Sequence, residues 1–142
     1  RGGFPPGSIQ NVIIENVRAY NTRRLDGMMI MGLPERKLKS IEIRDCHFEM
    51  CGKVKNKMED PPQIEKAYPE CDMFGWMPAY AIFVRDVENI KFQNITVGHL
   101  LGDVRPWITT RNVDRLETEN INEIGRIGPE VFDSPEWETP FE

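Results

Sequence analysis

The stretch Ile9–Ala19 reads IQNVIIENVRA, and Val87–Val97 reads VENIKFQNITV. Both follow the frame x-N-[VI]-x-[IF]-x-N-[VI]. Self-similarity decides the class of fold before any local propensity does. Two more copies of the frame lie in the chain, LKSIEIRDCHF (Leu38–Phe48) and VDRLETENINE (Val113–Glu123). The copies begin at residues 9, 38, 87 and 113, so successive starts are 29, 49 and 26 residues apart.

Position four of the frame is Val12, Ile41, Ile90 and Leu116, and position six is Ile14, Ile43, Phe92 and Thr118. The residues between are mostly polar. This period of two predicts a strand with one buried face in every copy. The phase then slips. Position nine (Val17, Cys46, Ile95, Ile121) is apolar, and position eight is Asn16, Asp45, Asn94 or Asn120. Asn and Asp tolerate the left-handed backbone that a bend requires. Each copy therefore predicts strand, bend, strand. Further β-like runs, GMMIMG (Gly27–Gly32), YAIFVR (Tyr80–Arg85) and RPWITT (Arg105–Thr110), fall between the copies.

Short repeats of strands without a 3.6-residue period predict a parallel β-helix of about four coils, right-handed because parallel crossovers are. The coils span 1–124 and the C-terminal tail 125–142. Equivalent residues of stacked coils form rows, so Asn16, Asp45, Asn94 and Asn120 are expected in one internal row. Such a row would keep Asn94, in the glycosylation triplet Asn94-Ile95-Thr96, away from a glycan. His47 falls in the outward register with Arg18, Thr96 and Asn122.

A net charge of −5 over 142 residues argues against a nucleic-acid partner. No apolar run is long enough for a membrane-spanning helix. The three cysteines lack metal-ligand spacing and the chain has two histidines, so neither a metal nor a cofactor is expected. Cys46, Cys51 and Cys71 read as buried thiols, with a Cys46–Cys51 or Cys51–Cys71 disulfide as the alternative. The chain starts at Arg1, without a signal peptide, which reads as a processed or truncated end.

The long middle interval holds a loop at about 50–79, rich in Pro, charge and aromatic residues. Tyr68 and Trp76 beside Glu70 suit sugar binding, because rings stack on pyranose faces and carboxylates take hydroxyls. The alternative is that the aromatics only fasten the loop to the coils. Asp26, with Arg23 and Arg24, reads as an outer substrate subsite or as a solvated turn. Arg105 reads as a bidentate partner for a substrate carboxylate, or as the partner of Asp103 or Glu70.

Three segments carry a family likeness: MGLPERKLKSIEIRDC (Met31–Cys46), AYPECDMFGWMPAYAIFVRDVENIKFQNI (Ala67–Ile95) and DVRPWITTRNVDRL (Asp103–Leu116). Tyr68-Pro69-Glu70, then Met73-Phe74-Gly75, Pro78-Ala79-Tyr80, Val84-Arg85 and Asp103-x-Arg105-Pro106 together resemble the C-terminal coils of glycoside hydrolase family 28. Its polygalacturonase-like and rhamnogalacturonan-type members are the most similar. The resemblance implies hydrolysis of pectic polysaccharide by an inverting route with two carboxylate functions, and a secreted or periplasmic location. It implies catalytic N-x-D, D-D, G-H-G and R-x-K motifs on adjacent coils. This chain has no D-D, G-H-G or R-x-K, and no N-x-D in their company, so no catalytic residue is assigned. Arg1-Gly2-Gly3 resembles the stretch that follows R-x-K. The chain is expected to be the C-terminal portion of such a hydrolase and inert alone, or else a non-catalytic carbohydrate-binding or assembly module. Its exposed N-terminal coil is expected to self-associate or to be covered by the arm RGGFPPG.

Overall fold

A computed structural model describes residues 7–20, 22, 27–52, 54, 59–63 and 77–127. Among them the fold is all-β. Six strands form one parallel sheet that curls into a half-barrel. They are β1 (Gln10–Glu15), β2 (Arg18–Ala19), β3 (Met28–Met31), β4 (Lys39–Met50), β5 (Ile82–His99) and β6 (Ile108–Arg126). The chain crosses the sheet in four passes. β1 and β2 pair with β4, β3 and β4 pair with β5, and β5 pairs with β6.

The pairing register reproduces the repeat. Val12 pairs with Ile41, Ile41 with Ile90, and Ile90 with Leu116. Ile14, Ile43, Phe92 and Thr118 form the next row, and Cys46, Ile95 and Ile121 a third. Arg18, His47, Thr96 and Asn122 also line up, on the outward side as expected. A parallel ladder keeps this register because a one-residue slip would turn every apolar side chain outward. The inner rows close into one core with Phe48, Tyr80, Val84, Val87 and Val97. Phe92 is fully buried and meets the edge of Trp107 at 5.5 Å and 86°. Just after β3 the chain lies close against β5, where a Cβ on Gly32 would come 2.3 Å from the Asp86 carbonyl oxygen. Cys46 is a free, buried thiol whose Sγ donates to the Arg44 carbonyl oxygen at 3.2 Å.

The bends fall at position eight. Asn16, Asp45, Asn94 and Asn120 have φ of 58°, 55°, 53° and 52°. A second set of left-handed residues, Asp86 and Asn112, bends β5 and β6 eight residues earlier. The row at position eight is not internal. Asn16, Asn94 and Asn120 are exposed and Asp45 is half-buried. A left-handed residue reverses the local pleat, so its side chain leaves on the convex side while positions six and nine both turn inward. The row is still hydrogen-bonded: Asn94 Nδ2 donates to Asp45 Oδ1 at 2.9 Å, and Asn120 Nδ2 donates to Asn94 Oδ1 at 2.8 Å. The position of Asn94 on the outside corrects the expectation of an internal row, while its amide is engaged with Asp45.

Asn94→Ala would lose both row bonds and place a Cβ-only residue in the left-handed region. The expected loss is about 2 kcal/mol in urea unfolding, roughly half from each cause. Asn94→Gly should lose less, since glycine removes the backbone cost.

Candidate functional site

The turn that follows β5 contains Asp103-Val104-Arg105-Pro106. Arg105 folds back on Asp103 because two residues of chain let its backbone and its guanidinium reach one carboxylate. Asp103 Oδ1 accepts from the Arg105 backbone N and Nε, both at 2.9 Å, and Oδ2 accepts from Nη2 at 2.8 Å. Nη1 donates to the Met77 carbonyl oxygen at 3.0 Å. The two side chains are 1% and 0% exposed. Of the roles open to Arg105, the structure displays the ion pair with Asp103. It joins the returning end of the insertion to the turn before β6, together with Tyr80 N donating to the Pro106 carbonyl and Thr109 Oγ1 donating to the Pro78 carbonyl. Asp26, Tyr68, Glu70 and Trp76 lie outside the described residues.

Beside this pair stands a cluster that the sequence did not single out. Tyr80 Oη is 3.4 Å from Glu123 Oε1, and the Tyr80 ring meets the His99 ring edge-on at 5.1 Å. Burial, foremost, and then the Glu123 carboxylate push the Tyr80 phenol well above its usual range. Burial lowers the pKa of His99, and Arg126 lowers it further, while Asp103 and Glu123 oppose the shift. His99 Nδ1 is buried without a hydrogen-bond partner among the described residues. Tyr80 and His99 are far apart from Glu123 in sequence, and the parallel register Val97 to Glu123 brings them together. Tyr80 falls in the Pro78-Ala79-Tyr80 likeness, but no spacing in the sequence joins it to His99 and Glu123, which stand in no motif.

A further described part of the insertion, residues 59–63, is held at the earlier bends. Arg85 donates to the carbonyl oxygens of Pro61 and Pro62, the latter at 3.1 Å. Buried Asp86 accepts from Gln63 Nε2 and Asn112 Nδ2, both at 2.6 Å. Arg111 Nε donates to Asp60 at 2.7 Å. Polar clamps fasten these residues, while the loop aromatics Tyr68 and Trp76 lie outside the described residues.

One triplet of the form N-x-D does occur, Asn112-Val113-Asp114. Asn112 is the left-handed bend that donates to Asp86, Val113 faces inward, and Asp114 pairs with Lys37 at 2.7 Å. These are the roles of a bend within a strand of the sheet. Asp103 and Asp86 are buried and already bonded, so neither offers the open carboxylate that glycoside hydrolysis requires. No group of three or more His, Cys, Asp or Glu among the described residues is placed to hold a metal ion. Among the same residues no helix is long and apolar enough to cross a membrane. Comparison of the chain with protein-family models, curated proteins and solved structures finds no match in any of the three.

Arg105→Met leaves the Asp103 charge buried without its main partner. The expected cost is about 3–5 kcal/mol, and the double variant with Asp103→Leu should lose clearly less than the sum of the two single changes. A urea double-mutant cycle measures this. His99 supplies a pH dependence. Its pKa in the fold lies below the unfolded value near 6.5, so the unfolded chain takes up the proton first. This contribution is complete above about pH 6.5 and is lost as pH falls through and below that value. His99→Gln should therefore flatten the fall in unfolding free energy between about pH 7 and 5.

Proposed function

We propose that the curled sheet is the end of a right-handed parallel β-helix, and that the chain is the C-terminal β-helix portion of a pectin-degrading glycoside hydrolase. The observation that carries the reading is the register. Three segments that resemble family 28 supply β4, β5 and β6, and these pair in parallel at the spacing of the repeat. Crossovers between parallel strands of one sheet favour a right-handed coil. In this reading the chemistry belongs to coils outside this chain, which would contribute the acid and the water-activating carboxylates in an inverting geometry. This chain supplies the stack that supports them and the residues assigned to sugar contact: Tyr68, Glu70 and Trp76 in the insertion, and Asp26 before it in sequence. The substrate class, a galacturonate-containing polysaccharide, and a secreted or periplasmic location both follow from the resemblance.

The second reading is a non-catalytic carbohydrate-binding or assembly module. Two open sheet edges favour it, since β1 and β6 are each paired on one side among the described residues.

Incubation with polygalacturonate and with rhamnogalacturonan should release no reducing ends above a blank. Release of reducing ends by the purified chain would overturn the assignment of catalysis to other coils. Calorimetric titration with oligogalacturonate, read against neutral oligosaccharides of equal length, separates the two readings. Binding of neither class would remove the sugar-contact role.

A further inference from the structure

The two ends of the stack complement each other. The row at position eight has a direction. Asn94 donates back to Asp45, and Asn120 donates back to Asn94, so each amide nitrogen reaches toward the preceding pass. Asp45 is a carboxylate and donates nothing to Asn16. Among the described residues, the Asn16 amide and the Asn120 carbonyl oxygen therefore have no side-chain partner. One end of the stack presents a donor and the other an acceptor.

The apolar rows are open at the same two places. Leu116 is 42% exposed, whereas Ile90 in the same row is 2% exposed. At the opposite end Val12, Ile14 and Val17 are partly buried. An unpaired edge of this kind offers a row of free backbone groups to another strand of matching frame. The last frame, Val113–Glu123, and the first, Ile9–Ala19, are copies of one pattern.

We propose that this chain associates head to tail, the β1 edge of one copy continuing the β6 edge of the next as a further parallel pass. In that register Leu116 meets Val12 of the second copy, Thr118 meets Ile14, and Ile121 meets Val17. Asn120 Oδ1 accepts from the second copy's Asn16, which extends the amide row unbroken. One row opposes the contact. Glu15, Arg44, Gln93 and Glu119 share an outward register, and Arg44 pairs with Glu15 at 2.8 Å within one copy. Across the junction Glu119 faces Glu15, a like pair that salt screens. The contact uses different surfaces on the two copies, so it does not close on itself and larger species form as concentration rises. In the pectin reading, coils outside this chain would stack on β1 in place of the second copy, so the contact is one made by the 142-residue chain on its own.

Sedimentation velocity on the 142-residue chain tests it, over concentrations from about 1 µM to 1 mM. The mean mass should rise with concentration, and more steeply at high salt. Val12→Glu blocks one end and Leu116→Glu blocks the other. Each variant alone should remain monomeric, while an equimolar mixture should give a dimer and nothing larger, since each retains one intact end. The mixing step also shows that both variants fold. Glu119→Arg should tighten association several-fold by creating at the junction the pair that Arg44 makes with Glu15. Three results would overturn the proposal: a monomer at every concentration, as when the chain's own terminal segments close the two ends; a mixture that stays monomeric; or loss of association in only one of the two blocked variants, which marks a symmetric contact of one end with itself.

Discussion

A left-handed bend at one fixed place in each pass of the chain sets the geometry of the whole sheet. Asn16, Asp45, Asn94 and Asn120 all hold φ between 52° and 58°. For an ordinary L-residue this conformation costs about 1–2 kcal/mol. Asn and Asp lower the cost because their short polar groups bond locally or, here, to the pass beside them. The bend lets positions six and nine face the same core although three residues separate them. Without it the period of two would send Cys46, Ile95 and Ile121 to the outside. The parallel register, the inner apolar rows and the curl of the sheet all follow from that turn.

The core itself is concentrated in the middle of the stack. β4 and β5 are covered on both sides, so Ile43, Phe92 and Ile95 are buried, whereas equivalent residues in β1 and β6 are only partly covered. Each pass cannot bury its inner face alone; its neighbours do so. The terminal passes therefore combine apolar side chains with free edges. The charged outward rows, such as Glu15 with Arg44 and Lys91 with Glu119, contribute little to stability but keep the outer face wet.

The insertion is fixed to this scaffold by buried polar groups. Arg105 with Asp103, and Arg85 with the carbonyls of Pro61 and Pro62, leave water on folding. Such pairs recover their desolvation cost only in good geometry, so their main consequence is a defined position for the segments they hold. Breaking one partner is costly where replacing both need not be. Arg105 thus has a place in the fold that is independent of any ligand.

The sequence determined the repeat, the alternation within it and the identity of the bend residues, because these are local properties written at fixed spacing. That was enough to align Val12, Ile41, Ile90 and Leu116 before any coordinates. The likeness of Asp103-x-Arg105-Pro106 to a family motif was also legible, and so was the pairing of its two charges as one of the roles open to it. Only the tertiary structure decided which face the asparagine row occupies, because the direction of a side chain at a left-handed residue depends on how the sheet curls. Only the structure brought Tyr80 and His99 to Glu123, since β5 and β6 approach there through a register that links residues more than twenty apart in the chain. The polar clamps on residues 59–63 were equally hidden. Their strand partners, Arg85, Asp86 and Arg111, are scattered through two strands and converge only once the passes stack.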